Sequence, residues 1–223
     1  MHLQREIARL KKKILSLSAV VEENLHKTSK AIERRDSELA REVIRSDKEV
    51  DQLEVDVEED CLKILALHQP VAADLRFLVA VLKMNADLER IGDLTVNIAE
   101  RVESLTFSDE FDFPPAIPQM VAAVESMLRR VLRALVDLDD RLAEEVRDAD
   151  DAVDELHSKM YRFVELKIRE SAGELLEPMI RLLDISRYLE RIADHCTNIA
   201  EDVIYMTHGD IVRHKGRWDG RDE

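Results

Sequence analysis

A chain of 223 residues with a formal net charge of −15 repels phosphate backbones and anionic lipid, which argues against contact with nucleic acid and leaves cations or basic protein patches as natural partners. Five Gly, five Pro and 4% aromatics against 45% hydrophobic and 36% charged residues is the composition of an all-helical bundle and a poor one for sheets. No run approaches the roughly 18 apolar residues of a membrane span, and the stretch around Lys11-Lys12-Lys13 lacks a signal-peptide core, so a cytoplasmic protein with reduced Cys61 and Cys196 is expected.

From Leu3 to about Arg35, Ile7, Leu10, Ile14, Leu17, Val21, Leu25 and Ile32 recur at intervals dominated by three and four, which predicts a long amphipathic helix broken by Asp36-Ser37. A second helix runs from about Ser37 to Leu67 and stops at His68-Gln69-Pro70, because the residue before proline is pushed out of the α region. The third takes Pro70 into its first turn and continues to about Leu105. Thr106 to Pro118, with Pro114, Pro115 and Pro118, reads as the junction between two halves. Helix four then spans about Ile117 to Leu138, helix five Asp140 to Ser171 with Gly173 closing it, and helix six Glu174 to Thr207. The expected units are residues 1–110 and 111–208, each a three-helix antiparallel bundle, with 209–223 as a tail.

The halves are copies. Glu89-Arg90-Ile91-Gly92-Asp93 followed by Asn97-Ile98-Ala99-Glu100 returns at an offset of 101 as Glu190-Arg191-Ile192-Ala193-Asp194 followed by Asn198-Ile199-Ala200-Glu201. Earlier in each half the offset is 103, which brings Asp47-x-x-x-Asp51 onto Asp150-x-x-x-Asp154. On a helix, Glu89, Asp93, Asn97 and Glu100 fall within roughly 80° of one another, and the second copy repeats that face. Asp47 and Glu89 lie roughly 33 and 30 Å from the turn at Gln69, so the pairs on helices two and three share a level.

Solvated acidic faces are the simplest reading of such stripes, and Arg90 and Arg191 offer themselves as internal counterions. Drift after duplication would scramble a merely solvated face, yet both acid pairs survive in both halves. Four converging carboxylates call for a polyvalent cation, and an all-oxygen set suits hard ions such as Mg²⁺, Mn²⁺, Ca²⁺ or iron. A di-iron bundle would need Glu-x-x-His on two helices, whereas Glu23-x-x-His26 stands alone. His157 and His195 read either as extra ligands of the second group or as surface histidines. A Gly-rich phosphate loop, a Ser/His/Asp order and a nucleophilic cysteine context are all missing, so nothing recommends catalysis.

The run Gln69-Pro70 with Asp74-Leu75-Arg76, the duplicated Glu-Arg-Ile-x-Asp motif and the closing Gly209-Asp210-Ile211-Val212-Arg213-His214 resemble the PhoU family of phosphate-signalling regulators over nearly the whole chain. The resemblance implies two tandem three-helix bundles with pseudo-twofold symmetry, often dimeric, and not enzymes. It also implies metal sites of iron, zinc, manganese or magnesium, carried here by Asp47, Asp51, Glu89 and Asp93 and by Asp150, Asp154, Glu190 and Asp194. Asn97, Glu100, Asn198 and Glu201 are the outer members. The implied partners are the ATP-binding subunit of a phosphate ABC transporter and a phosphate-sensing histidine kinase, between which such proteins damp the starvation response. The second half departs from the family pattern at Asp74-Leu75-Arg76, where Leu175-Leu176-Glu177-Pro178 stands instead. A carboxylate-bridged metal-storage or redox bundle is the alternative function.

Overall fold

The computed structural model describes residues 2–105, 113–170 and 175–209, and they form six helices. These are α1 (His2–Arg34), α2 (Ser37–His68), α3 (Ala72–Leu105), α4 (Ala116–Asp137), α5 (Asp140–Glu170) and α6 (Leu176–His208), with no strand among the described residues. Most of the proline-containing junction, Gly173 and the tail beyond Gly209 lie outside the described residues. Pro70 is not in the first turn of α3 as its residue type suggests. Gln69 closes α2 in the left-handed region, its N–H reaching Leu65 O, and Ala72 is left-handed as well, so the third helix begins two residues beyond the proline.

The duplication extends to single hydrogen bonds. Arg35 and Leu138, 103 residues apart, both leave their helices with left-handed φ of 53° and 51°. Asp36 and Asp139 follow, each accepting a helix N–H on its side chain, from Leu39 and Leu142 at 3.0 Å in both cases. Their own N–H groups reach back to Ala31 O and Ala134 O, again at 3.0 Å. Capping of this kind removes orphan donors at the start of α2 and α5 and sets the reversal that makes α1/α2 and α4/α5 antiparallel.

Each half is a bundle of three helices, and the two bundles pack through α3 against α6 and α1 against α4. One apolar cluster runs through all six helices, from Leu10, Ile14 and Leu17 on α1 to Leu182, Ile185 and Leu189 on α6. Among the described residues α2 touches only α1 and α3, and α5 only α4 and α6. The helices bearing the Asp-x-x-x-Asp pairs are therefore the outermost of the fold.

Three polar links fix the α3/α6 register: Lys83 Nζ to Asp202 Oδ1 at 3.1 Å, Asn198 Nδ2 to Asp87 Oδ1 at 3.2 Å, and Arg101 Nε to Asp184 Oδ2 at 3.3 Å. In each, the two residue numbers add to 285, so the helices run antiparallel and Gly92 stands level with Ala193. Those two residues are themselves 101 apart, which places the pseudo-twofold axis between them. Lys83 corresponds to Asp184 and Arg101 to Asp202, so the outer ion pairs are symmetry mates with their charges exchanged.

Candidate metal centre

The antiparallel α2/α3 pair is tied near its middle by Asn85, whose Nδ2 donates to Glu54 O at 3.0 Å and to Glu54 Oε1 at 2.9 Å. Nearer its far end it is tied by Arg41 Nε donating to Glu103 Oε1 at 2.7 Å. Between those ties, fully buried Val50 faces Gly92, and the missing side chain lets the helices close. The acids beside these two residues are thereby brought together. One carboxylate oxygen of each of Asp47, Asp51 and Asp93 lies within 4.8 Å of the others. Asp47 and Asp93 are half-buried and Asp51 is exposed.

The cluster resists its own charge. Burial pushes the Asp47 carboxyl up from its ordinary value, and Asp51, Asp93 and Glu100 push it further. Glu89 is raised by burial and by Asp93, with Arg90 pulling the other way. Arg90 lies 3.5 Å from Glu89 and 3.2 Å from Asp93, so it is the counterion its sequence position suggests, although its own side chain is exposed. Asp47 Oδ1 is buried with no hydrogen-bond donor. A buried carboxylate oxygen that no N–H or O–H serves is a fit for a cation, and oxygen donors from Asp and Glu select a hard one.

The second group repeats the pattern without the same closeness. Asp150 Oδ1 is also buried without a donor, and burial together with Asp194, Asp154, Asp151 and Glu190 lifts the Asp150 carboxyl to about 6. Burial and Asp154 raise both Glu190 and Asp194 as well, with Arg191 opposing. Among the described residues, however, only the Asp47, Asp51, Asp93 triad brings ligand atoms within 4.8 Å.

The outer members divide. Glu100 faces Asp47 closely enough to raise it, whereas Glu201 lies 3.7 Å from Arg147 Nε. Asn198 Nδ2 donates to Asp87 Oδ1 across the α3/α6 boundary, and His195 Nδ1 lies 2.7 Å from the same oxygen. His157 instead meets Ser186 Oγ at 2.5 Å, with burial lowering its pKa, and His26 pairs with Glu125 on α4. Both cysteines are buried, and Cys61 is pushed up to about 12 by burial, which suits inert packing. Periodicity did not single out Asp87 or Arg147. Both sit on ordinary charged positions, and only their mismatch with the other half, Tyr188 and Ile44, marks them.

Fold and site together define a duplicated all-helical bundle whose α2/α3 and α5/α6 pairs carry matched carboxylate groups. Residues 14–102 and 117–203 each match the PhoU domain, so the chain belongs to the PhoU family. It is 36% identical over 220 residues to the phosphate-specific transport system accessory protein PhoU homolog of Aquifex aeolicus, covering 96% of this chain and 97% of that protein. The corresponding homolog 1 of Thermotoga maritima is 34% identical over 211 residues, 93% of this chain and 90% of its own length. Among solved structures, PhoU from Pseudomonas aeruginosa superposes with a TM-score of 0.89 at 31% identity, covering 93% of this chain and 99% of that one. The phosphate transport system regulatory protein PhoU from Streptococcus pneumoniae gives 0.86 at 28%, covering 94% and 99%.

Proposed function

We propose that this chain is a cytosolic, non-enzymatic negative regulator of phosphate uptake and phosphate-starvation signalling, an adaptor between the ATP-binding subunit of a phosphate ABC transporter and a sensor histidine kinase. The relatives' description as accessory proteins of phosphate-specific transport supports the transporter half of this reading. The net charge of −15 suits docking on basic protein patches. Units 1–110 and 111–208 act as one body through their shared core, and two chains pair as a homodimer.

Asp47, Asp51, Glu89 and Asp93 hold a hard cation, and Asp150, Asp154, Glu190 and Asp194 hold another. The observation that carries this is the donorless, buried Oδ1 of Asp47, matched by that of Asp150 103 residues on. A bound cation would supply the charge compensation that Arg90 and Arg191 provide only in part, and the carboxylates of Asp47, Asp51, Glu89 and Asp93 would be its ligands in the first half.

A strain lacking the gene is expected to express phosphatase and take up phosphate in phosphate-rich medium, with the wild-type chain restoring repression. Unchanged expression and uptake in that strain would overturn the regulatory reading. Protein purified without chelator is expected to carry metal and to melt higher in Mn²⁺, and the D47N/D51N/D93N variant to lose most of that rise. Metal-free protein whose melting point ignores Mn²⁺ would remove the metal part alone.

A further inference from the structure

The two carboxylate groups differ at several aligned positions, among them Arg41/Glu144, Lys48/Asp151 and Gly92/Ala193, and one difference concerns an outer acid. Where the first half has Ile44, the second has Arg147. Arg147 Nη1 donates to both oxygens of Glu144 at 3.0 Å, and its Nε lies 3.7 Å from Glu201 Oε1. All three side chains are nearly covered, at 13%, 13% and 11% exposure. In the first half the residue aligned with Glu144 is Arg41, and it turns away to Glu38 and Glu103. Glu100, aligned with Glu201, stays 49% exposed with Arg101 at 3.8 Å and acts on Asp47. The charges that act on Asp150 are instead Asp194, Asp154, Asp151 and Glu190.

We propose that Arg147 is a resident cation that ties Glu201 away from the second carboxylate group, so that the first half binds a divalent cation more tightly than the second. The inference rests on the metal reading above. A guanidinium is charged at every physiological pH, so one paired with Glu201 holds a candidate ligand out of the second group. Arg147 is thus a positioning residue that makes the duplicated sites unequal, with the first half as the tighter, sensing site.

The test is Mn²⁺ titration of the full chain, followed by the resonance of the free ion and by melting temperature. In the D47N/D51N background, which leaves only the second group, R147I is expected to tighten Mn²⁺ binding by roughly tenfold or more, the scale of effects from residues around a metal site. D150N/D154N is expected to retain the tight binding of the unaltered chain. Independently, E100Q weakens the first group whereas E201Q leaves the second unchanged, a comparison that stands even if R147I fails to fold. Unchanged or weaker binding by folded R147I, or E201Q weakening its group as much as E100Q weakens the other, overturns the proposal. Equal affinities for the two groups overturn this inference alone, while an unaltered chain that binds no Mn²⁺ at either group overturns the metal reading with it.

Discussion

A Cβ built on Gly92 would lie 3.0 Å from Val50 Cγ1, so the α2/α3 spacing beside the first carboxylate group is set by the absence of one methyl group. In the second half the corresponding residues are Ala193 and Val153, both fully buried, and the methyl is present. Gly92→Ala should therefore destabilise by about 1 kcal/mol, the overpacking cost of ~1–3 kcal/mol exceeding the ~1 kcal/mol helix gain. In a Val50→Ala background the same change should become neutral or stabilising. Urea unfolding of the four proteins checks this, and an equal effect in both backgrounds would show that Val50 is not the obstacle.

Lys83 neutralises an Asp202 that is 2% exposed, while Arg101 neutralises an Asp184 that is 26% exposed. Removing the cation takes an ion-pair partner from an acid in a dry setting in the first case and from one beside water in the second. Lys83→Met is expected to cost about 1–3 kcal/mol and Arg101→Met less than about 1 kcal/mol, read from denaturant midpoints. Reversal of that order would mean that Asp202 is compensated by other neighbours.

Stability of the metal-free protein should fall as pH rises through the acid range. The folded Asp150 carboxyl titrates at about 6 against an ordinary 3.8, so the folded state holds the proton that the unfolded state has released. That contribution is fully present below about pH 4 and is lost between about pH 4 and 6. Asp150→Asn should flatten this slope and raise stability at pH 7.5 by about 1 kcal/mol, the face value being cut by solvent screening. Melting curves in chelator across that range check it, and a variant slope identical to that of the unaltered chain would assign the loss to other groups.

Leu138 is 48% exposed yet sits at φ 51°, where a Cβ crowds the backbone. Leu138→Gly should stabilise by about 0.5–1 kcal/mol. Val136, helical and 59% exposed, is the control, since Gly there should cost several tenths of a kcal/mol, Val being the poorer helix former to begin with. Equal losses at both positions would show that the left-handed turn is not strained.

The helices were legible because each long rod writes its buried stripe into sequence. The α1 residues from Ile7 to Ile32 that recur at three and four are all buried. Asp36 announced its break through a hydrogen bond local in sequence. Rise per residue and a short turn bring the acid-bearing stretches of α2 and α3 together but set Asp47 level with Glu89. Asp47 instead meets Asp93, and Glu89 is not part of that triad, because the length of the turn fixes the register only to within about a helical turn or two. Local rules could not say which neighbour a side chain chooses when two are in reach. His195 sits next to Asp194 in the chain but turns to Asp87 on another helix, and Asn198 does the same. The difference between Ile44 and Arg147 was visible in the aligned halves, but its effect on Glu201 depends on α5/α6 packing that no pattern encodes. Pro70 was misplaced because a left-handed residue at Gln69 and another at Ala72 delay the helix, a choice made by the turn rather than by the proline.

The exchanged charges across the pseudo-twofold axis also decide which halves can marry. A first half paired with its own twin in this register would set Lys83 against Arg101, and a second half with its twin would set Asp184 against Asp202. Each self-match brings like charges together twice, and only the mixed match cancels them. Separate identical halves in this register are therefore disfavoured by repulsion at these two positions as well as by the lost tether.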